Sequence, residues 1–309
     1  MMSEQGLKPD RPALERPALE RGNGGVTARF GPALPGRGGA RLLDLYQSDP
    51  GRALLPDPEP GEPGSLVMVT TSGGLTGGDR LALELALEPG ARVTAMAQAA
   101  EKLYRSTASD HPTLLTQDLR AGNGAWLEWL PQETILFDGA RLERHTRIDL
   151  DPGAEALIGD MLVYGRLAHG ERFTRGELFD RWELRRAGRL VWTERQGLQG
   201  GLGGGMDGDI PALLAAPAGF HGALAQASLL FVRPGFASDS GAAPILAALR
   251  ALLEAHPDVR GGATRLDGFI LARLLAADPL ALRRAFAALW RHCRAEAGWA
   301  DAMPRLWLR

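Results

Sequence analysis

The chain has a single cysteine, Cys293, among 309 residues, which excludes an intrachain disulfide and any zinc site built on two thiolates. Long hydrophobic runs are also missing. No apolar stretch reaches the roughly 18 residues that a membrane-spanning helix requires, and the N-terminus is polar with no apolar signal core. A soluble, cytoplasmic protein in a reducing compartment is expected. Charge of one sign is absent too: 35 Lys and Arg stand against 37 Asp and Glu, a formal net charge of -2. No global field therefore draws the chain to nucleic acid or an anionic membrane, and partners must be met by local surface. Neither a G-x-S-x-G elbow nor an H-E-x-x-H pair occurs, so the signatures of serine hydrolases and zinc peptidases are lacking. The histidines at 111, 145, 169, 221, 256 and 292 form no i, i+4 pair. Carboxylates lie near two of them in sequence, Asp138 and Glu143 near His145, Asp160 and Glu171 near His169. Imidazole with carboxylate suits nickel or zinc, yet single residues on separate strands define no site.

Glycine (40) and proline (21) are plentiful, and they punctuate the chain. Residues 1–25 carry Arg-Pro-Ala-Leu-Glu twice, at 11–15 and 16–20, with little to bury, and are expected to form a disordered tail. Pro50, Pro56, Pro58, Pro60 and Pro63 mark an extended loop over 50–64 that leads into a strand. From 65 to 195 the texture is strand and turn. Leu81, Leu83, Leu85 and Leu87 alternate with Ala82, Glu84, Ala86 and Glu88, the period of a half-buried strand, and Pro89-Gly90 is read as the turn of a hairpin into 92–97. Leu142, Thr146, Ile148 and Leu150, interleaved with Glu143, His145, Arg147 and Asp149, repeat the pattern before Asp151-Pro152-Gly153 reverses the chain. Leu178, Asp180, Trp182 and Leu184 precede Ala187-Gly188 and a strand over 190–192. Units of this kind in series argue for a mainly-β fold.

The C-terminal third adds helices. Asp239 or Ser240 can cap a helix with Ile245, Leu246, Leu249, Leu252 and Leu253 on one face, ending near His256-Pro257. Asp267-Gly268 suits a hairpin turn. Asp278-Pro279 reads as N-cap and first helical residue, with Leu282, Phe286, Leu289, Trp290 and Cys293 along one stripe and Gly298 as the stop. Cys293 is thereby assigned to the core.

Three motifs fail as binding signatures. Gly73 and Gly78 have the outer spacing of a phosphate loop, but Asp79 stands where that loop needs a lysine. The paired glycines around Leu75 instead suggest a tight backbone passage. Gly203, Gly205 and Gly208 satisfy G-x-G-x-x-G inside a glycine run, without a preceding strand or an acidic residue to hold a ribose, so a flexible loop is the reading. Arg141, Arg144 and Arg147, with Arg172 and Arg175, are interrupted by Glu143, Asp149, Glu171 and Glu177 and lack interleaved aromatics. A solvated, mixed-charge strand face is expected there.

Four segments, taken in order, resemble the UreD (UreH) family of urease accessory proteins: Ser72–Asp79 with Gly73, Gly74, Gly77, Gly78 and Asp79; Gln98–Ser106 with Gln98, Lys102, Tyr104, Arg105 and Ser106; Leu130–Arg141 with Pro131, Gln132, Glu133, Asp138, Gly139 and Arg141; and Met161–Glu171 with Gly165, Arg166, Gly170 and Glu171. Arg265-Leu266, Ala288–Arg291 and Pro304-Arg305 extend the likeness over residues 26–309. The resemblance implies one mainly-β domain, a two-layered or β-helical stack of strands with a few helices toward the C-terminus. It implies a non-enzymatic scaffold between apo-urease and UreF, which in turn holds the GTPase UreG, with no tightly bound cofactor and with nickel only in transit through a polar passage. A cation in transit needs oxygen ligands strong enough to replace water and weak enough to release it. Asp79, Asp138 and Glu171, the acidic members of the matched segments, are the residues expected to line or support that passage, or else to cap turns and pair with arginines such as Arg141 or Arg166. The rival readings are a free-standing nickel carrier and an enzyme using Glu133 or Asp138 with Glu171 as acid and base.

Overall fold

The computed structural model describes residues 21–34, 39–106, 111–202, 208–237 and 239–308. In chain order the strands are β1 (Asn23–Pro32), β2 (Ala40–Ser48), β3 (Gly51–Leu54), β4 (Gly64–Thr70), β5 (Arg80–Leu87), β6 (Arg92–Ala97), β7 (Glu101–Leu103), β8 (Thr113–Ala121), β9 (Trp126–Leu130), β10 (Thr134–Leu136), β11 (Arg141–Leu150), β12 (Glu155–Tyr164), β13 (Gly176–Arg186) and β14 (Arg189–Gly200). Helix α1 (Ile210–Ala215) follows, then β15 (Ala225–Val232), α2 (Asp239–Glu254), β16 (Val259–Leu266), β17 (Phe269–Ala276) and α3 (Pro279–Glu296).

Two sheets face each other. One has seven strands in the order β14-β13-β11-β8-β5-β1-β2; the other has ten, with the path β16-β17-β15-β12-β9-β6-β4-β3 and the short β10 and β7 set off from it. The middle of the molecule is a coil. The chain passes from β5 to β6, from β8 to β9 and from β11 to β12, crossing each time from the first sheet to the second, and strands stack in parallel within each sheet. The expected mainly-β, two-layered stack with helices toward the C-terminus is what forms. Alternation dictates it: Leu81, Leu83, Leu85 and Leu87 of β5 are buried between the sheets while Arg80 and Glu84 face water, as a strand with one wet face must arrange them.

The reading of Pro89-Gly90 as a hairpin turn is corrected, because β5 and β6 do not pair with each other; each pairs with strands of its own sheet. Asp151-Pro152-Gly153 likewise joins β11 to β12 across the sandwich. Turn residues mark where a chain bends, and whether it bends within a sheet or between sheets depends on the strands available for pairing. Ala187-Gly188 does close a true antiparallel hairpin, β13 with β14, and so does Asp267-Gly268, β16 with β17. Residues 51–54 of the expected loop pair with β4 as a short strand. The two Arg-Pro-Ala-Leu-Glu copies lie outside the described residues, whereas residues 23–25 already belong to β1.

A second core fills the space between the outer face of the ten-stranded sheet and helices α2 and α3. The Asp278 carboxylate accepts from the Leu280 and Ala281 amides, and Leu282, Phe286, Leu289, Trp290 and Cys293 are buried as the stripe predicted. Burial also raises the Cys293 thiol well above its ordinary pKa, which leaves it an inert core residue. In α2, Ile245, Leu249 and Leu253 are buried, while the side chains of the proposed caps lie outside the described residues. The helices are also bolted by charge: Arg294 of α3 ion-pairs with Glu62 and with fully buried Glu128 of β9, and Glu128 accepts from Trp290 Nε1 at 2.7 Å and Thr94 Oγ1 at 2.5 Å.

Candidate functional site

The four matched segments, far apart in sequence, meet on one narrow third face of the coil. Leu75 bridges Leu103 in parallel, β7 pairs with β10, and β10 pairs with the last three residues of β12. Each segment thus contributes one rung to a short parallel ladder. The rungs are tied by the Leu75 amide to the Lys102 carbonyl (2.8 Å), the Tyr104 amide to the Leu75 carbonyl (2.7 Å), the Glu101 amide to the Glu133 carbonyl (2.8 Å), and the Phe137 amide to the Leu103 carbonyl (3.0 Å). Tyr104 packs edge-on against Phe137 with ring centres 5.0 Å apart and donates its hydroxyl to the Gly73 carbonyl at 3.2 Å; Arg166 covers the other side of Phe137 at 4.8 Å.

Gly74 and Gly165 are where this ladder demands glycine. Gly74 sits at φ 145°, and a Cβ there would lie 2.4 Å from the Tyr104 ring and 2.8 Å from the Lys102 carbonyl; Gly165, at φ 113°, would meet the Glu171 carbonyl at 2.4 Å. No side chain fits either place. Gly73 and Gly78 flank the passage, Gly77 lies between Thr76 and Gly78, Gly139 accepts the Ser106 amide at 2.9 Å, and Gly170 ends the short turn after Arg166.

The acidic members of the motifs are all engaged. Asp79 accepts from the Gly22 and Thr76 amides, both at 2.8 Å, and ties the start of β1 to the glycine loop. Asp138 accepts from the Thr174 amide (2.9 Å) and hydroxyl (2.8 Å) and the Arg175 amide (3.1 Å) and Nε (3.2 Å), with Arg105 3.8 Å away. Glu171 accepts from the Asp138 amide at 2.6 Å and from Arg166 at 2.6 and 3.0 Å. Partial burial works to raise both carboxyls, but these hydrogen bonds and arginines outweigh it and hold Asp138 and Glu171 below the usual range,. Arg141 pairs with Glu177 at 2.8 Å, and Arg283 of α3 clamps Gln132 (2.8 Å) and Glu133 (2.7 Å), while Pro131 accepts from Trp307 Nε1 at 3.1 Å.

Behind the ladder a cavity of about 130 Å³ opens between the sheets, lined by Thr70, Gln98, Glu101, Gln117, Trp129 and Asp160 among others. Glu101 is one of its lining carboxylates and accepts from Thr70 Oγ1 at 2.6 Å. Burial pushes its pKa up to about 7, against the Thr70 hydrogen bond and the Lys102 charge. From the cavity a polar file continues through the sandwich. Arg144, only 1% exposed, clasps Asp160 with two bonds of 2.6 Å and Asp180 with bonds of 3.0 and 2.6 Å. Gln196 then donates to the Tyr164 hydroxyl at 3.0 Å and exchanges amide bonds with Gln226. Arg144 is therefore not on a solvated strand face as the sequence suggested. Its signal was its parity: it lies between Leu142 and Thr146 on the inward register of β11. Arg144, Asp160 and Asp180, on different strands, could be brought together only by the fold.

Histidines gather no site. His145 meets Glu143 at 3.0 Å, and among the described residues no group of three or more His, Cys, Asp or Glu side chains could hold a metal ion. No helix among the described residues is long and apolar enough to cross a membrane.

Glu101 makes stability depend on pH. Its folded pKa of about 7 stands above the ordinary 4.5, so the folded state keeps a proton that the unfolded chain releases. The contribution is favourable at low pH and lost as pH rises toward and past 7. Glu101→Gln is expected to match the parent at about pH 5 and to exceed it by roughly 2 kcal/mol at about pH 8. Urea denaturation at the two pH values checks this; superimposable curves at the higher pH contradict the assignment.

Comparison with known proteins defines the class first: this is an accessory protein. The family model described as UreD urease accessory protein matches residues 23–308. Urease accessory protein UreD of Magnetococcus marinus is 42% identical over 274 residues, covering 87% of this chain and 89% of the relative. Those of Rhizobium rhizogenes (40% over 272 residues, 88% and 90%) and Paracoccus denitrificans (38% over 289 residues, 94% and 93%) are similar over comparable spans. The chain belongs to the UreD family, and its role lies in urease maturation and nickel insertion.

Proposed function

We propose that the chain is a cytoplasmic scaffold that bridges apo-urease and a UreF–UreG assembly and lets nickel pass without holding it. The observation that carries this reading is the convergence of four matched segments on one ladder, beside a cavity with polar groups in its lining. Oxygen and amide groups dispersed around the cavity, among them Thr70, Gln98, Glu101 and Gln117, suit a cation that must be released again, and a closed four-ligand site would trap it. Asp79, Asp138 and Glu171 support the passage by fixing its wall, since their oxygens already accept from backbone amides and arginines.

The enzyme reading is disfavoured for the pair Asp138 and Glu171. Both carboxyls are held low, which leaves neither as a general acid near neutral pH. The carrier reading lacks a ligand cluster among the described residues.

Co-expression with urease and its accessory proteins tests the proposal. Simultaneous Asp79→Ala, Asp138→Ala and Glu171→Ala is expected to lower nickel bound to urease, and urease activity, at least tenfold. Undiminished nickel at normal protein levels removes these residues from the passage. The parent should co-purify with UreF or apo-urease through an interface of more than about 1,000 Å², and failure to associate at low micromolar concentration removes the scaffold reading itself.

A further inference from the structure

At the C-terminal end of the stack the two sheets are unequal. Beyond the last shared turn, β11 with β12, the seven-stranded sheet adds β13 and β14, while the ten-stranded sheet adds β15, β17 and β16. Strand β14 reaches across to β17, where Glu194 ion-pairs with Arg273 and Trp192 packs on Phe269 with ring centres 5.8 Å apart. Strand β16 overhangs. On its inward side, Arg260, Gly262 and Thr264 are exposed, and a Cβ on Gly262 would touch nothing within 4 Å. A groove of about 320 Å³ lies there, bounded by Glu194, Gln196, Gln226, Arg260, Gly262 and Arg273.

The opposite rim of the groove is a sheet edge. Strand β14 is twelve residues long and, among the described residues, pairs with β13 alone along its length; its last residue, Gly200, is bridged by Gly208. Among the described residues no strand lies along the rest of that edge. An edge of this length presents unpaired amides and carbonyls ready for another chain. On β16 the corresponding edge is partly closed, since Arg250 Nε donates to the Ala263 carbonyl at 3.0 Å.

We propose that β14 accepts one extended, acidic segment of a partner polypeptide as an added strand, which covers the overhanging face of β16 and makes the two sheets equal. Main-chain bonds to β14 supply attachment, and alternate side chains of the added strand point into the groove. The charge there selects their chemistry. Arg260 is exposed, with no ion pair among the described residues, and Arg273 has Glu194 as its one carboxylate partner. Inward Asp or Glu residues would meet both arginines, whereas Lys or Arg would be repelled.

This inference rests on the reading that the chain works by binding proteins, and the test separates the two. The full chain is purified with its urease-maturation partners. Hydrogen exchange at β14 is compared between the free chain and the complex, and a photo-crosslinking residue at position 262 identifies what lies over the groove. Expected are slowed exchange at alternate amides between 190 and 199, a crosslink to a segment rich in Asp or Glu, and at least tenfold weaker complex formation for Arg260→Glu and Gly262→Trp. Both variants should keep the parent's melting temperature, because position 262 has open space and Arg260 is exposed. A complex that forms with unchanged β14 exchange overturns the inference and leaves the scaffold reading standing, as does a crosslink to a basic segment or to a second copy of this chain. Absence of any complex overturns both.

Discussion

Arg144→Met is expected to lower the unfolding free energy by about 3–5 kcal/mol, because it strands two buried carboxylates that now share one guanidinium. Asp160 and Asp180 are 7% exposed each, so water cannot replace the lost charge. Burial, joined by the neighbouring Asp180, already drives the Asp160 carboxyl up against the pull of Arg144. Without the arginine Asp160 should take up a proton more readily, and the deficit should narrow as pH falls toward the carboxylate range. Arg144→Lys should not rescue, since a single ammonium cannot bind two carboxylates with four bonds. Chemical denaturation across pH reads all three effects. A loss under 1 kcal/mol would mean that the triad is not the buried lock described above. With total stabilities of about 5–15 kcal/mol for folded proteins, the predicted loss is large enough to lower soluble yield as well.

Gly74→Ala and Gly73→Asn, at adjacent positions, should behave oppositely. Gly73 has φ 72° with nothing within 4 Å of a Cβ, a left-handed conformation that asparagine tolerates. Gly74 has φ 145° and the Lys102 carbonyl 2.8 Å from the added atom. Alanine there stores about 1–3 kcal/mol of backbone strain or pushes Leu75 away from Leu103. Either outcome loosens the ladder that joins the four motif segments. Nickel delivery to co-expressed urease should fall at least tenfold for Gly74→Ala and stay within twofold for Gly73→Asn. Equal activity of the two variants would detach the ladder from the function.

Much of this was legible residue by residue. The alternation in β5, β11 and β13 announces strands with one buried face, and Asp278-Pro279 with its stripe places α3, because both patterns arise from local geometry and burial. Recognition of the four motifs identified the family, but not that they lie side by side. Glu101 and Asp160 bear no mark of an interior site in the sequence: a titratable residue in a strand looks the same whether it faces water or a cavity. Arg144 and Asp180 carry a clue, through the inward registers of β11 and β13.

The sequence by itself determined the alternation of β5, β11 and β13, the start and buried stripe of α3, and the likeness to the family. Tertiary structure decided that Pro89-Gly90 and Asp151-Pro152-Gly153 carry the chain between sheets, that distant motifs become neighbouring rungs, and that one sheet outruns the other at β16. The division has a physical cause. Backbone dihedrals and side-chain periodicity are set by neighbours along the chain, whereas strand pairing and the charge left uncompensated in an interior are set by groups that only folding brings within reach.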